Sequence, residues 1–210
     1  MYRKLLFPTT LAAVLALAAC DKGITTSGGS DTQLSPSDVQ ALAGETGDQD
    51  GAFMDGFGGP SFNTMSESGP RLATTVNTSF SRTRTCPQGG SVKLEGSITT
   101  TTDRETHTGS TSFSATRTET ACVFGRNGHT ITINGNPNTQ LTSNQAWTNG
   151  VPGVRTATKV GSFTWARSDG KTGTCNVNVT ATWTPSTHTL HVQGTFCNQT
   201  VDVTRTWSQS

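Results

Sequence analysis

The groups in this chain able to do chemistry are four histidines, a few dispersed carboxylates, five cysteines and a set of arginines in strand-like segments. His188 and His191 are three residues apart, a spacing that puts them on opposite faces of a strand, where they cannot chelate a metal together. Neither they nor His107 and His129 have a carboxylate placed in sequence as a base needs its orienter, and all four read as solvated strand histidines. Serine is plentiful, but no Gly-x-Ser-x-Gly elbow occurs. The glycine-rich turns lie between strand patterns, so they offer no phosphate cradle at a helix start. Glu95, Asp103, Glu105, Glu119, Asp169 and Asp202 are too scattered to mark a carboxylate pair. Neither Cys-x-x-Cys nor a Cys and His cluster with zinc spacing is present. The sequence therefore implies no catalytic residue, no metal and no cofactor, and the expectation is a protein that is not an enzyme. A hydrolase whose site assembles only in space ranks third among its readings.

The arginines are more informative. Period-two alternation puts Arg82 and Arg84 on the face of Phe80, Arg117 and Glu119 on that of Phe113, Arg167 with Trp165, and Arg205 with Val203 and Trp207. These cations point to the apolar side of their strands, where an unpaired charge would be too costly to keep. Glu119 is the one acid predicted on the same face. Two readings follow. The strand ends emerge from the core and form a solvated rim, with Arg84 paired to Glu119. Alternatively Arg82, Arg84, Arg117 and Arg205 form a ligand-binding set, with Arg82, Arg117 and Arg205 at one open end. Guanidinium forks there would suit a carboxylate, phosphate or anionic sugar.

The elements that position these groups are strands. About a fifth of the residues are Thr, Gly is abundant and Leu is scarce, a mix that favours strands and turns over helices. After Pro70 the chain alternates apolar and polar residues in segments 74–85, 91–102, 108–120, 131–133, 141–148, 155–167, 177–183, 190–192 and 201–207, with turn residues between them. This predicts an all-β, antiparallel up-and-down meander of about eight or nine strands, barrel or sandwich, supported by disulfides. The hairpin turns, the first at Pro87-Gln88-Gly89-Gly90, set Arg82, Leu94 and Arg117 in one row and Arg84, Val92 and Glu119 in the next. A tight turn at Thr184-Pro185-Ser186-Thr187 sets Val179 opposite Val192 and Ala181 opposite Leu190. A bulge at Gly194 then brings Cys175 to Cys197. Cys86 and Cys122 end the first and third strands at one edge and form the second pair. Four cysteines allow three connectivities. A transmembrane barrel would need an outward apolar band with aromatic girdles, and the only Tyr is Tyr2.

Ahead of the β-domain, 73–210, lies a Gly, Ser, Thr, Asp and Pro-rich stretch that extends to residue 72 and reads as a mostly disordered tether. One short helix is predicted in it, with Ser35 as N-cap, Pro36 in the first turn, Val39 and Leu42 on one side and Gly44 as the stop. Asp48, Asp50 and Asp55 do not reproduce the alternating ligands of a calcium loop and read as solvated linker acids. Phe53, Met54, Phe57, Phe62 and Met65 are unusual in a spacer and are expected to dock on the domain or on a partner.

Arg3 and Lys4 precede an apolar run from Leu5 to Ala19, too short for a bilayer core of roughly 30 Å, so residues 1–19 read as a signal peptide. Leu17-Ala18-Ala19-Cys20 resembles the lipobox of bacterial lipoproteins. The resemblance covers the signal alone and implies cleavage before Cys20 and acylation of that cysteine. Asp21 resembles the inner-membrane retention signal of enteric lipoproteins, while Lys22 departs from it, so inner and outer membranes both stay open. The β-domain is similar only in a broad way to Thr-rich bacterial lipoproteins. A formal net charge of +1 gives no field for gathering nucleic acid. The expected partners are the membrane, through acyl chains, together with an envelope protein or a small anionic ligand. The leading reading is a lipid-anchored cell-envelope protein with a non-catalytic binding or structural β-domain. A lipocalin-like carrier of a small anionic or amphipathic ligand is the alternative.

Overall fold

The computed structural model describes residues 33–57, 73–126, 128–135 and 138–206. The expected signal peptide, Cys20, Phe62, Met65 and Trp207 lie outside the described residues. The described chain begins with one helix, α1 (Pro36–Asp55), followed by ten strands: β1 (Thr74–Thr85), β2 (Ser91–Asp103), β3 (Thr108–Thr120), β4 (Cys122–Arg126), β5 (His129–Asn134), β6 (Thr139–Thr148), β7 (Val151–Arg167), β8 (Thr172–Thr184), β9 (Thr189–Phe196) and β10 (Gln199–Thr206). All pair antiparallel in one sheet with the order β1-β2-β3-β6-β7-β8-β9-β10, and the β4–β5 hairpin branches off to pair with the end of β7. The antiparallel meander is thus as the alternation predicts. The added strand is β4, too short to show a period of its own.

The first two hairpins have the expected register, with Arg82 opposite Leu94 and Leu94 opposite Arg117, and Arg84 opposite Val92 and Val92 opposite Glu119. The β8–β9 hairpin differs. Its connection is longer, a 3₁₀ turn at Pro185–Thr187 closed by His188 in the left-handed region at φ 50°, so Thr184 faces Thr189. Ala181 therefore pairs with Val192 and Val179 with Gly194, and no bulge is needed. The shift is two residues, which keeps every side chain on its predicted face. Cys197 and Asn198, both at positive φ, make the two-residue turn into β10 in the manner of a type I′ hairpin. This turn brings Cys197 to Cys175 with Cα atoms 4.1 Å apart, and Cys86 pairs with Cys122 at 5.4 Å. These are the two expected pairings, although Cys175–Cys197 was expected through a β8–β9 register two residues off and a bulge at Gly194 that the structure does not contain.

What covers the apolar face is neither a second sheet nor barrel closure. The sheet is open, with β1 and β10 as its edges, and α1 lies against its apolar face. Asp48 and Asp50, two residues apart on α1, reach Arg205 on β10 and Arg117 on β3. In a flat sheet those strands would stand about 24 Å apart, five spacings of roughly 4.8 Å. The sheet therefore curls around the helix, which occupies the interior that a closed barrel would fill with side chains.

The helix begins where the sequence places it. Ser35 caps it, its Oγ accepting from the Asp38 N–H at 3.2 Å, and Pro36 opens it. Gly44 does not stop it. The segment expected to be mostly tether holds twenty helical residues, and Val39, Leu42, Ala43, Phe53 and Met54 are buried. Gly44, Gly47 and Gly51, at i, i+3 and i+7, form the strip that meets the sheet. A Cβ on Gly44 would overlap the Arg205 guanidinium, one on Gly51 the Trp183 indole, and one on Gly47 would stand 3.0 Å from a Val192 methyl. Each glycine costs roughly 1 kcal/mol relative to Ala in an isolated helix. The close approach it permits recovers that through burial, about 1.5–3 kcal/mol for a side chain such as Leu42 or Phe53.

Gly47→Leu should therefore lower stability by about 1–3 kcal/mol through overpacking, although it raises helix propensity. Urea denaturation followed by tryptophan fluorescence measures this, and an unchanged midpoint would refute close packing of the glycine strip. Peptide mapping without reduction should recover Cys86 linked to Cys122 and Cys175 linked to Cys197. Loss of either staple should cost about 2–4 kcal/mol.

Candidate binding face under the helix

The arginines that alternation turns inward do face the interior, and α1 meets them there. Arg117 on β3 is fully buried. Its guanidinium donates to Glu119 Oε1 at 2.6 Å, to Gln49 Oε1 at 2.8 Å, and to Asp50 through a short bond. The second oxygen of Asp50 accepts from Lys159 Nζ on β7 at 3.1 Å. Two cations and two carboxylates thus close a buried cluster with no net charge. The opposing carboxylates raise the pKa of Arg117 above its ordinary value despite burial. Lys159 is held below the ordinary ammonium range by burial and then by the neighbouring Arg117.

The other ion pairs radiate from this cluster along the helix. Asp48 pairs with Arg205 at 2.9 Å, Asp55 with Arg155 at 2.7 Å and Glu45 with Arg126 at 3.0 Å. Asp38, in the first helical turn, lies 3.3 Å from His129 Nε2, 3.8 Å from Arg167 and 3.9 Å from Arg126. At the other end Arg82 donates to the Gly56 carbonyl at 2.7 Å and stacks over Phe57, its Cζ 4.1 Å from the ring centroid, while Arg84 lies 5.1 Å over Phe53. The last turn of α1 has no basic residue of its own, so the sheet supplies the positive charge that a helix C-terminus favours. Phe57 also joins Phe80 and Phe113, with centroids 4.5 and 5.7 Å away.

Several sequence expectations change as a result. Arg82, Arg117 and Arg205 line no open end: Arg82 meets the C-terminal end of α1, Arg117 is buried against Asp50 and Arg205 pairs with Asp48. The partner of Glu119 is Arg117, not Arg84. Glu119 is not the main counter-charge, because α1 supplies five acids from a segment that reads as solvated linker, and Asp50 is almost fully buried. His129 is half-buried against the helix rather than solvated. Alternation could have added Arg155 and Lys159, which share the odd-numbered face of β7 with Phe163 and Trp165; the acids of α1 had no such signal.

His191 and His129 each meet an aspartate. His191 meets Asp202 at 2.8 Å on the exposed outer face. At the N-terminus of α1, Asp38 stands between His129 and the Ser35 hydroxyl, which donates to it at 2.8 Å. That is the reverse of the order in which an imidazole activates a nucleophile. A cleft of about 420 Å³ opens there, lined by Ser35, Ser37, Asp38, Arg126, His129 and Arg167 among others. It holds charges of both signs. Among the described residues no group of three or more His, Cys, Asp or Glu could hold a metal ion, and no helix is long and apolar enough to cross a membrane. No protein-family model, curated protein or solved structure matches the chain.

The buried cluster makes a graded prediction. Arg117→Met leaves Asp50 and Glu119 facing only Lys159 and should cost about 3–5 kcal/mol, whereas Lys159→Met leaves Asp50 with Arg117 and should cost less. Because Lys159 is held below its unfolded value, the unfolded chain binds more protons between the two values. Its contribution to stability therefore rises with pH on the alkaline side, up to the ordinary lysine value. Urea midpoints from pH 7 to 10 test both points: equal costs for the two variants, or an alkaline limb unaltered by Lys159→Met, would contradict the assignment.

Proposed function

We propose that this protein is a lipid-anchored component of the bacterial cell envelope whose β-domain is a non-catalytic binding module. The observation that carries the reading is the Leu17-Ala18-Ala19-Cys20 motif at the end of an apolar signal, followed after fifteen residues by a helix built into the domain. Fifteen residues reach at most about 50 Å. Acylation of Cys20 would therefore keep the domain close to the bilayer, on the side of the N-terminal end of α1. The two disulfides support the reading, because such staples persist in oxidising compartments such as the periplasm and the cell surface. Several acyl chains would give durable attachment where one alone is marginal.

The binding role is favoured by the curled sheet. Most of the protein's described cations face an interior that a single acidic helix fills, an arrangement made for recognising a charged element. Cys20→Ser tests the anchor. The variant should move from the detergent phase to the aqueous phase on Triton X-114 partitioning, or accumulate as uncleaved precursor. Unchanged partitioning of a correctly sized mature protein would overturn the lipid anchor.

A further inference from the structure

We propose that the interior face of the curled sheet is a receptor groove for acidic, glycine-bearing helices, which α1 occupies in cis and which can accept a helix of the same chemistry in trans. The inference deepens the binding reading above by naming the partner class, and it is independent of the acyl anchor.

The first observation is charge complementarity. Helix α1 carries five carboxylates and no Lys or Arg. Each carboxylate lies within 4 Å of at least one cation of the sheet. The protein is close to neutral overall, yet these opposite charges lie on two different elements, the acids on α1 and the cations on the sheet. The second is that the groove selects shape as well as charge. Trp183, Leu190 and Val192 admit a helix only where it presents glycine, and Arg117 with Lys159 demand a carboxylate one position before the last of those glycines. An extended anionic polymer offers neither the cylinder nor that spacing. The third is that α1, unlike the sheet, is held by side-chain contacts alone. Both disulfides join parts of the sheet and none reaches the helix. Three interior glycines make α1 a poor helix by itself, and the outer pairs Asp48–Arg205 and Asp55–Arg155 have their acids substantially exposed. Residues 56–73 connect α1 to β1, and β1 and β10 are not paired with each other. Exchange of the helix therefore breaks no ladder, but it uncovers the buried faces of Val39, Leu42 and Phe53 and the Arg117 cluster, which an incoming helix must cover again. A helix tethered in cis competes at an effective concentration near the millimolar range, so binding in trans should appear only when the cis contact is loosened.

The probe is a fluorescein-labelled peptide with the sequence of residues 34–57, titrated into the full chain and read by anisotropy, with hydrogen exchange followed in parallel. Wild-type protein should bind it weakly. Gly47→Leu in the protein should tighten binding about tenfold or more. Asp48→Asn combined with Asp55→Asn, which leave the glycine strip intact, should tighten it a few-fold. Asp50→Asn in the peptide should weaken binding at least tenfold, and bound peptide should speed exchange of the protein's own α1 amides while those of β7 and β8 stay protected. The proposal is overturned if α1 amides exchange no faster than those of β7 in wild type and neither loosened variant binds the peptide. It is also overturned if the Asp50→Asn peptide binds as well as the native one. Either failure, with Cys20-dependent detergent partitioning intact, removes this partner class and leaves the anchor standing.

Discussion

The structure depends on how Arg117 is neutralised. A guanidinium with no exposed surface can persist only if each face of its charge is matched, and Glu119, two residues along on the same strand, can match one charge. Lys159 on β7 adds a second cation to the same space. Asp50 supplies the missing carboxylate, and Asp50 belongs to a helix, so the charge balance of the sheet interior requires α1 to be in place. The same requirement fixes the helix along its axis. Asp50 cannot slide by a turn without leaving both cations, and the glycines on either side of it sit where the sheet approaches most closely.

From this follows the unusual division of labour in the fold. An antiparallel sheet with one apolar face must be covered, and sheets usually meet that need by closing or by stacking on another. Here the cover is a helix of weak intrinsic propensity, held by Phe53, Leu42 and Val39 against the apolar side chains and by ion pairs along its length. The sheet is tied by its ladders and by two disulfides at one end. Local stability is therefore expected to differ between the two parts. This asymmetry between helix and sheet comes from where the cysteines are, as much as from the helix's own composition.

The electrostatics follow the same geometry. Asp38 stands at the positive end of the helix dipole and Arg82 and Arg84 at the negative end, so even the termini of α1 are matched by charge. Exposed pairs such as Asp55–Arg155 contribute little individually. Their value is directional, because together with the buried cluster they specify which helix fits and which way round it lies.

Much of this was legible in the sequence. Alternation fixed the strands, their inward faces and the arginines on those faces, because period two is a local property. The first two hairpin turns set the β1–β2–β3 register, and with it the rows that hold Arg117 and Glu119. Ser35 and Pro36 marked the helix start, and the Cys86–Cys122 pairing followed from strand ends, whereas Cys175–Cys197 came out right from a β8–β9 register that is two residues off. Only the tertiary structure decided what those inward arginines meet. Asp50 lies 67 residues from Arg117, and nothing local distinguishes a buried acid from one in solvent. Gly44 reads as a helix stop because, taken alone, glycine destabilises a helix; it continues one here because Arg205, Leu190 and Trp183 leave room for nothing larger beneath the strip. The openness of the sheet, the length of the β8–β9 turn and the helix in the interior all rest on contacts between distant segments, whose energies no window of sequence contains.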